Sequence, residues 1–244
     1  MGTMKSSRIK TTLAALFVGA LVLTGCSMGG PPEPPETATE GLVPMNLETA
    51  GVTYMSDGVL ESDAAPAFAA PPETDAIDVG MVFDPMCPHC ANFEAQFGET
   101  IASLIDSGDI TLTAYPVAFV AGELSEKSAN AFYAVVSYSP EHAQEFQTEL
   151  LAANLAQGGL DDDALIELAA SVGATDEKIE QAITEGSFID LIKGLTEQAL
   201  GQEIPGTGVT LSGTPLIFAE GVELESPTFS GTPEEALATL ESQL

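Results

Sequence analysis

Two cysteines separated by two residues, Cys87-Pro88-His89-Cys90, stand between a short apolar run and a helical pattern, and this junction restricts the chain more than any other feature. Ile77 to Phe83, closed by Asp84, has the length of a buried strand. A turn follows, with Pro88 where helices favour proline. Phe93, Phe97, Ile101, Leu104 and Ile105 then recur at helical spacing, and the pattern stops near Ser107-Gly108-Asp109. Ile110 to Val120 reads as a second strand. Strand, helix and strand in that order predict a βαβ unit with parallel strands. A disulfide between Cys87 and Cys90 would close almost no loop, so it would constrain the unfolded chain little. Redox chemistry explains the pair better than stability does.

The remainder extends this unit. Residues 125 to about 201 read as helical throughout, with Phe132, Val135 and Val136 in one helix and Phe146, Leu150 and Leu151 in the next. Asp161 to Val172 predicts a third, and Thr175 and Ser187 are candidate caps for two more, the last ending at Gly201. Leu216-Ile217-Phe218 and Val222-Glu223-Leu224 flank Glu220-Gly221 as a hairpin would. Pro233 to Leu240 predicts a closing amphipathic helix. The order is βαβ, a helical block, then ββα.

The first residues belong to no core. Lys5, Arg8 and Lys10 precede Thr11 to Leu23, an apolar run of the size of a signal-peptide core and too short to span a bilayer comfortably. It ends in Leu23-Thr24-Gly25-Cys26, which resembles the lipobox of bacterial lipoproteins, so residues 1–25 are expected to be removed and Cys26 to carry lipid. The alternative is an ordinary secretory leader with an incidental Cys, or an uncleaved anchor. Residues 26–56, rich in Gly, Pro, Glu and Thr, read as a disordered spacer. The globular domain is expected over 57–244, opening on a short strand at Asp57-Gly58-Val59-Leu60, with a second connector from Ala64 to Pro72. The 244-residue chain holds six Lys and Arg against 37 Asp and Glu. Three of those six lie in the leader, which leaves Lys127, Lys178 and Lys193 and a net charge of −34. Nucleic acid is excluded as a partner, since phosphate binding needs cations, and so is a polybasic grip on lipid.

With its Cys-x-x-Cys at the first strand–helix junction and a helical block between βαβ and ββα, the chain resembles the DsbA-like branch of the thioredoxin superfamily over roughly Asp57 to Leu244. The matching pieces are Phe83-Asp84, Cys87-Pro88-His89-Cys90 and Ser212-Gly213-Thr214-Pro215. The resemblance implies an α/β thioredoxin-like fold with a helical insertion, and a protein thiol:disulfide oxidoreductase of the extracytoplasmic space. Its redox group would be the Cys87–Cys90 disulfide itself, with no other cofactor. Cys87 at a helix N-terminus is placed to be the thiolate, Cys90 to resolve a mixed disulfide, and His89 to stabilise the Cys87 sulfur. Pro215 is expected in the cis form against the disulfide, with the Thr214 backbone pairing with an extended, thiol-containing protein substrate. A membrane quinone-linked thiol oxidase is the implied recharging partner.

One departure stands out. Where the family carries a buried acid on the strand leading to the motif, this chain has Met81. Asp84 either stands in for that acid or is a turn residue at the strand end. A bare Cys-x-x-Cys is also half of a zinc site; beyond it only His142 and carboxylates are available as ligands. An isomerase or reductase on the same two cysteines is the main alternative to an oxidase, and a ligand-binding lipoprotein without redox activity is a further one.

Overall fold

A computed structural model describes residues 51–59, 75–200, 209–220 and 222–244. Its centre is a six-stranded mixed sheet. The strands are β1 (Val52–Met55), β2 (Gly58–Val59), β3 (Ile77–Phe83), β4 (Ile110–Pro116), β5 (Leu216–Ala219) and β6 (Val222–Leu224), in the order β2-β1-β4-β3-β5-β6. β3 and β4 are parallel, joined by helix α1 (Pro88–Ser107), and every other pairing is antiparallel. β3 lies between β4 and β5, and Val79 through Phe83 are all buried, which is why its sequence is a continuous apolar run rather than an alternation. Gly80 faces Phe218 so closely that a Cβ would collide with the ring.

α1 ends at Gly108, which adopts φ 79°, a conformation that suits glycine; the Gly108 and Asp109 N–H groups close the helix on Ile105 and Leu104. Among the described residues, the insertion between β4 and β5 holds five α-helices, α2 (Glu123–Tyr138), α3 (Ala143–Gln157), α4 (Asp162–Ser171), α5 (Glu177–Glu185) and α6 (Ile189–Ala199), with a short 3-10 turn at Pro140–His142 before α3. α7 (Pro233–Glu241) closes the chain and starts with a full capping box between Thr232 and Glu235. The insertion shares one core with the sheet. Phe132 of α2 meets Phe83 of β3 edge-on at 5.6 Å, and Tyr133 stacks between Phe132 and Phe188. All four rings are fully or almost fully buried.

The expected order of βαβ, helical block and ββα is thus present, with four differences. The sheet begins earlier than residue 57: Val52–Met55 is a strand pairing with β4, although the composition around it suggested a spacer. Alternate positions decide it, since Tyr54 donates to Gln147 Oε1 at 3.0 Å while Thr53 bonds Thr113 at 2.8 Å across the strands. β4 ends at Pro116 rather than Val120, because the amides that follow are taken by other groups, described below. Asp176, not Thr175, caps α5 by accepting from Lys178 N at 2.9 Å. Ser187 caps nothing at α6; the Phe188 N–H entering that helix donates instead to Asn130 Oδ1 at 2.8 Å. The leader, Cys26, the spacer up to residue 50, the connector at 64–72 and Gly201 lie outside the described residues.

Candidate active site

β3 delivers the chain to a turn at Asp84-Pro85-Met86, and the turn sets Cys87 as the residue capping α1, with φ −77° and ψ 117°. Pro88 opens the helix, where its missing N–H costs nothing. Cys87 and Cys90 are both free thiols and both buried, 5% and 2% exposed. Within the turn, Asp84 supplies the hydrogen bonds that fix it. Cys87 N–H donates to the Asp84 carbonyl at 2.9 Å and Met86 N–H to Asp84 Oδ1 at 2.8 Å. The other carboxyl oxygen, Oδ2, accepts from Phe119 N and Val120 N at 2.8 and 2.9 Å. Asp84 is completely buried, so its oxygens are satisfied by backbone donors rather than water.

The loop after β4 is held amide by amide. Val117 N reaches the Phe83 carbonyl, Ala118 N reaches Thr196 Oγ1 of α6, and Ala121 N reaches Ser125 Oγ, with the two Asp84 contacts between them. Sequence reasoning placed Asp84 near the cysteines but missed Thr196, Ser125 and Asn154, whose Nδ2 donates to the Pro85 carbonyl at 3.1 Å. No spacing rule connects Thr196 or Asn154 to a loop some seventy positions away, whereas Ser125 makes a local contact four residues from Ala121. The only trace is a polar residue on a buried helix face.

Across the sheet, the Thr214–Pro215 bond is cis, and the Thr214 carbonyl accepts from the Cys87 thiol at 3.2 Å. The hairpin residues therefore meet the motif although 127 positions separate them. The Thr214 hydroxyl is buried with no hydrogen-bond partner among the described residues.

The two thiols are driven apart as acids. Cys87 is lowered to about 5, chiefly by a hydrogen bond from the Cys90 thiol, with help from Thr214 and the backbone N–H groups of Cys90 and His89. Burial opposes this and loses. Cys90 is pushed far above the ordinary thiol range by burial first, then by its bond to Cys87 and that sulfur's charge. The His89 imidazole is exposed, and it is the His89 backbone that contributes to Cys87. The helix end itself is kept electropositive. Among the described residues, each of the six other α-helices carries an acidic residue in its first turn, whereas α1 carries none. In a chain with 37 acids, that leaves the positive helix end to the sulfur.

Among the described residues no group of three or more His, Cys, Asp and Glu side chains is placed to hold a metal. His142 sits at the start of α3, beside Glu141 and packed on Gly173, away from the cysteines.

A family model described as thioredoxin matches residues 73–240, from just before β3 to the end of α7. The chain belongs to the thioredoxin family. Among solved structures it is similar to oxidised DsbA of Mycobacterium tuberculosis, with 26% identity, a TM-score of 0.56 and coverage of 72% of this chain and 87% of that one. It is similar also to reduced DsbG, a disulfide bond oxidoreductase of the same organism, with 25% identity, a TM-score of 0.60 and coverage of 80% and 88%. MdbA of Corynebacterium diphtheriae, a thiol-disulfide oxidoreductase, shares the fold at 21% identity and a TM-score of 0.57 over 85% of this chain and 98% of its own. No curated protein matches the chain. The protein is thus a DsbA-like member of the thioredoxin superfamily and a protein thiol:disulfide oxidoreductase.

Proposed function

We propose that this DsbA-like enzyme is an exported lipoprotein, tethered through Cys26 to the outer face of the bacterial cell membrane, that forms disulfides in extracytoplasmic proteins. The observation that supports this direction of electron flow is the placement of Cys87 at the N-terminus of α1, with no acidic residue in that first turn and Cys90 enclosed behind it, an arrangement that lowers the Cys87 thiol to about 5 and raises the Cys90 thiol. A stabilised thiolate favours the reduced pair, and a favoured reduced pair is an oxidant toward other thiols.

In the oxidised enzyme, a substrate thiolate attacks Cys87 Sγ. The Cys87–Cys90 bond breaks and Cys90 leaves with the electron pair, taking up a proton at once, as its raised range requires. A second substrate thiolate then attacks the substrate sulfur of the mixed disulfide, and Cys87 departs as a stable thiolate. The substrate has lost two electrons and gained a disulfide; the enzyme holds the two electrons as a dithiol. Thr214, whose carbonyl lies at the Cys87 sulfur, and Pro215 form the wall on which an extended, thiol-containing substrate pairs. Asp84, Pro88 and His89 orient Cys87. The reduced pair is returned to the disulfide by a membrane quinone-linked thiol oxidase, and a lipid anchor holds the enzyme at high local concentration beside it.

Oxidative refolding of a reduced, unfolded protein under limiting enzyme tests the direction. Disulfides formed faster than they are shuffled support an oxidase. Rapid reduction of insulin, or rearrangement of scrambled disulfides without net oxidation, would assign the site to a reductase or an isomerase.

A further inference from the structure

The helical insertion reaches the redox motif through a side chain that no motif marks. Asn154 lies near the C-terminal end of α3 and is 2% exposed. Its Nδ2 donates to the Pro85 carbonyl and to Ser128 Oγ of α2, each at 3.1 Å. The carbonyl can only accept, so the atom facing it must be the amide nitrogen.

The same peptide unit is gripped from its other end. Met86 N–H donates to Asp84 Oδ1 at 2.8 Å. The Pro85–Met86 plane is therefore fixed on both sides, by a carboxyl group of its own turn and by an amide from the insertion. The next N–H, that of Cys87, closes the turn on the Asp84 carbonyl, and the Cys87 carbonyl accepts from Ala91 N at 3.2 Å to begin α1. A rotation of the Pro85–Met86 plane would swing Cys87 relative to the helix. Pro85 is buried, so a carbonyl deprived of Asn154 has reason to rotate toward another donor.

We propose that Asn154 is a positioning residue for thiol–disulfide exchange, its side-chain amide locking the Pro85–Met86 peptide so that the Cys87 sulfur faces the first-turn N–H groups of α1. The inference rests on Cys87 being the exchanging sulfur. A purely structural role makes a different prediction. Asn154 Oδ1 is buried without a partner among the described groups, so leucine, of similar size, relieves that burden and offsets part of the cost of leaving the Pro85 carbonyl without its donor. On the positioning account Asn154→Leu folds but loses control of the sulfur.

The test uses the full-length reduced protein with Asn154→Leu and Ser128→Ala, the second cutting only the bond that does not reach the motif. Alkylation of Cys87 is titrated against pH, and each protein is equilibrated with glutathione buffers. Asn154→Leu is expected to raise the alkylation midpoint by about one pH unit and to make the couple roughly tenfold less oxidising, the size of a lost hydrogen bond. Ser128→Ala is expected to match wild type. A low wild-type midpoint left unmoved by Asn154→Leu would overturn the inference alone, whereas an ordinary midpoint in wild type would overturn the reading of Cys87 and the inference with it. Should Asn154→Leu fail to fold, hydrogen exchange of the Asn154 side-chain amide in wild type decides. Strong protection supports the lock, and exchange as fast as an exposed asparagine refutes it.

Discussion

Cys87 and Cys90 sit within one turn of the same helix, yet the groups around them act in opposite senses. Cys87 gathers donors from Cys90, Thr214 and two backbone N–H groups, while Cys90 is enclosed and faces the charge of Cys87. The reduced enzyme should accordingly alkylate at Cys87 with a midpoint near pH 5 and hardly at all at Cys90; a midpoint near the ordinary ~8.5 would contradict this. His89→Ala retains the backbone N–H and removes only an exposed ring, so the midpoint should move by well under one pH unit. The same shifts make stability depend on pH. Cys87, lowered in the folded state, contributes stability that is full above the unfolded value of ~8.5 and lost as pH falls toward about 5. Cys90, raised in the folded state, contributes stability that is full below ~8.5 and lost as pH rises beyond it. Urea unfolding of the reduced protein, referenced to a Cys87→Ala/Cys90→Ala variant, should therefore show an advantage that grows from pH 5 to about 8.5 and declines above it. A flat difference across that window would rule the shifts out.

At the level of elements, the sheet and the insertion are joined at the turn between β3 and α1. Asp84→Ala would strand the N–H groups of Met86, Phe119 and Val120 in a buried site. Each stranded donor costs about 1–3 kcal/mol, so a loss of roughly 3 kcal/mol or more is expected, with a Tm lower by on the order of 10 °C. Calorimetry of the oxidised protein checks it, and an unchanged Tm would show that Asp84 does not hold the turn. All the described hydrogen bonds of the Asp84 carboxyl go to the backbone of two loops, its own turn and the loop after β4. The strands and helices with strong periodicity were legible, among them Ile77–Phe83, the helix after Pro88 and the hairpin around Glu220. They were legible because burial on both faces, or on one stripe, writes itself into local pattern. Val52–Met55 was not, since four residues beside a Pro- and Glu-rich stretch carry too little signal against it. The Phe188 N–H taken by Asn130, the loop amide taken by Thr196, and the grip of Asn154 on Pro85 were hidden for another reason. They are tertiary contacts between residues distant in sequence, and residue type alone does not pair them.

For the whole molecule, charge and location bear on the same chemistry. The chain is strongly acidic, but distant carboxylates are screened beyond about 8 Å at physiological salt. Local donors at the α1 terminus, free of first-turn acids, then dominate at Cys87. Tethering is a separate matter and is tested separately. Mass spectrometry of the membrane fraction should find a diacylated Cys26 at the mature N-terminus, and Cys26→Ser should move the enzyme to the soluble fraction; an intact leader or cleavage elsewhere would refute the lipoprotein assignment. The central claim is that this couple is an oxidant because Cys87 is held as a thiolate. The reduction potential of the Cys87–Cys90 pair, measured against glutathione from pH 4 to 8, tests it most directly. With Cys87 lowered to about 5, the reduced pair carries a single proton above that pH. The potential should then lie well above the about −270 mV of thioredoxin and fall by about 30 mV per pH unit above pH 5, with twice that slope below. A thioredoxin-like potential with the steeper slope persisting through pH 7 would contradict the account.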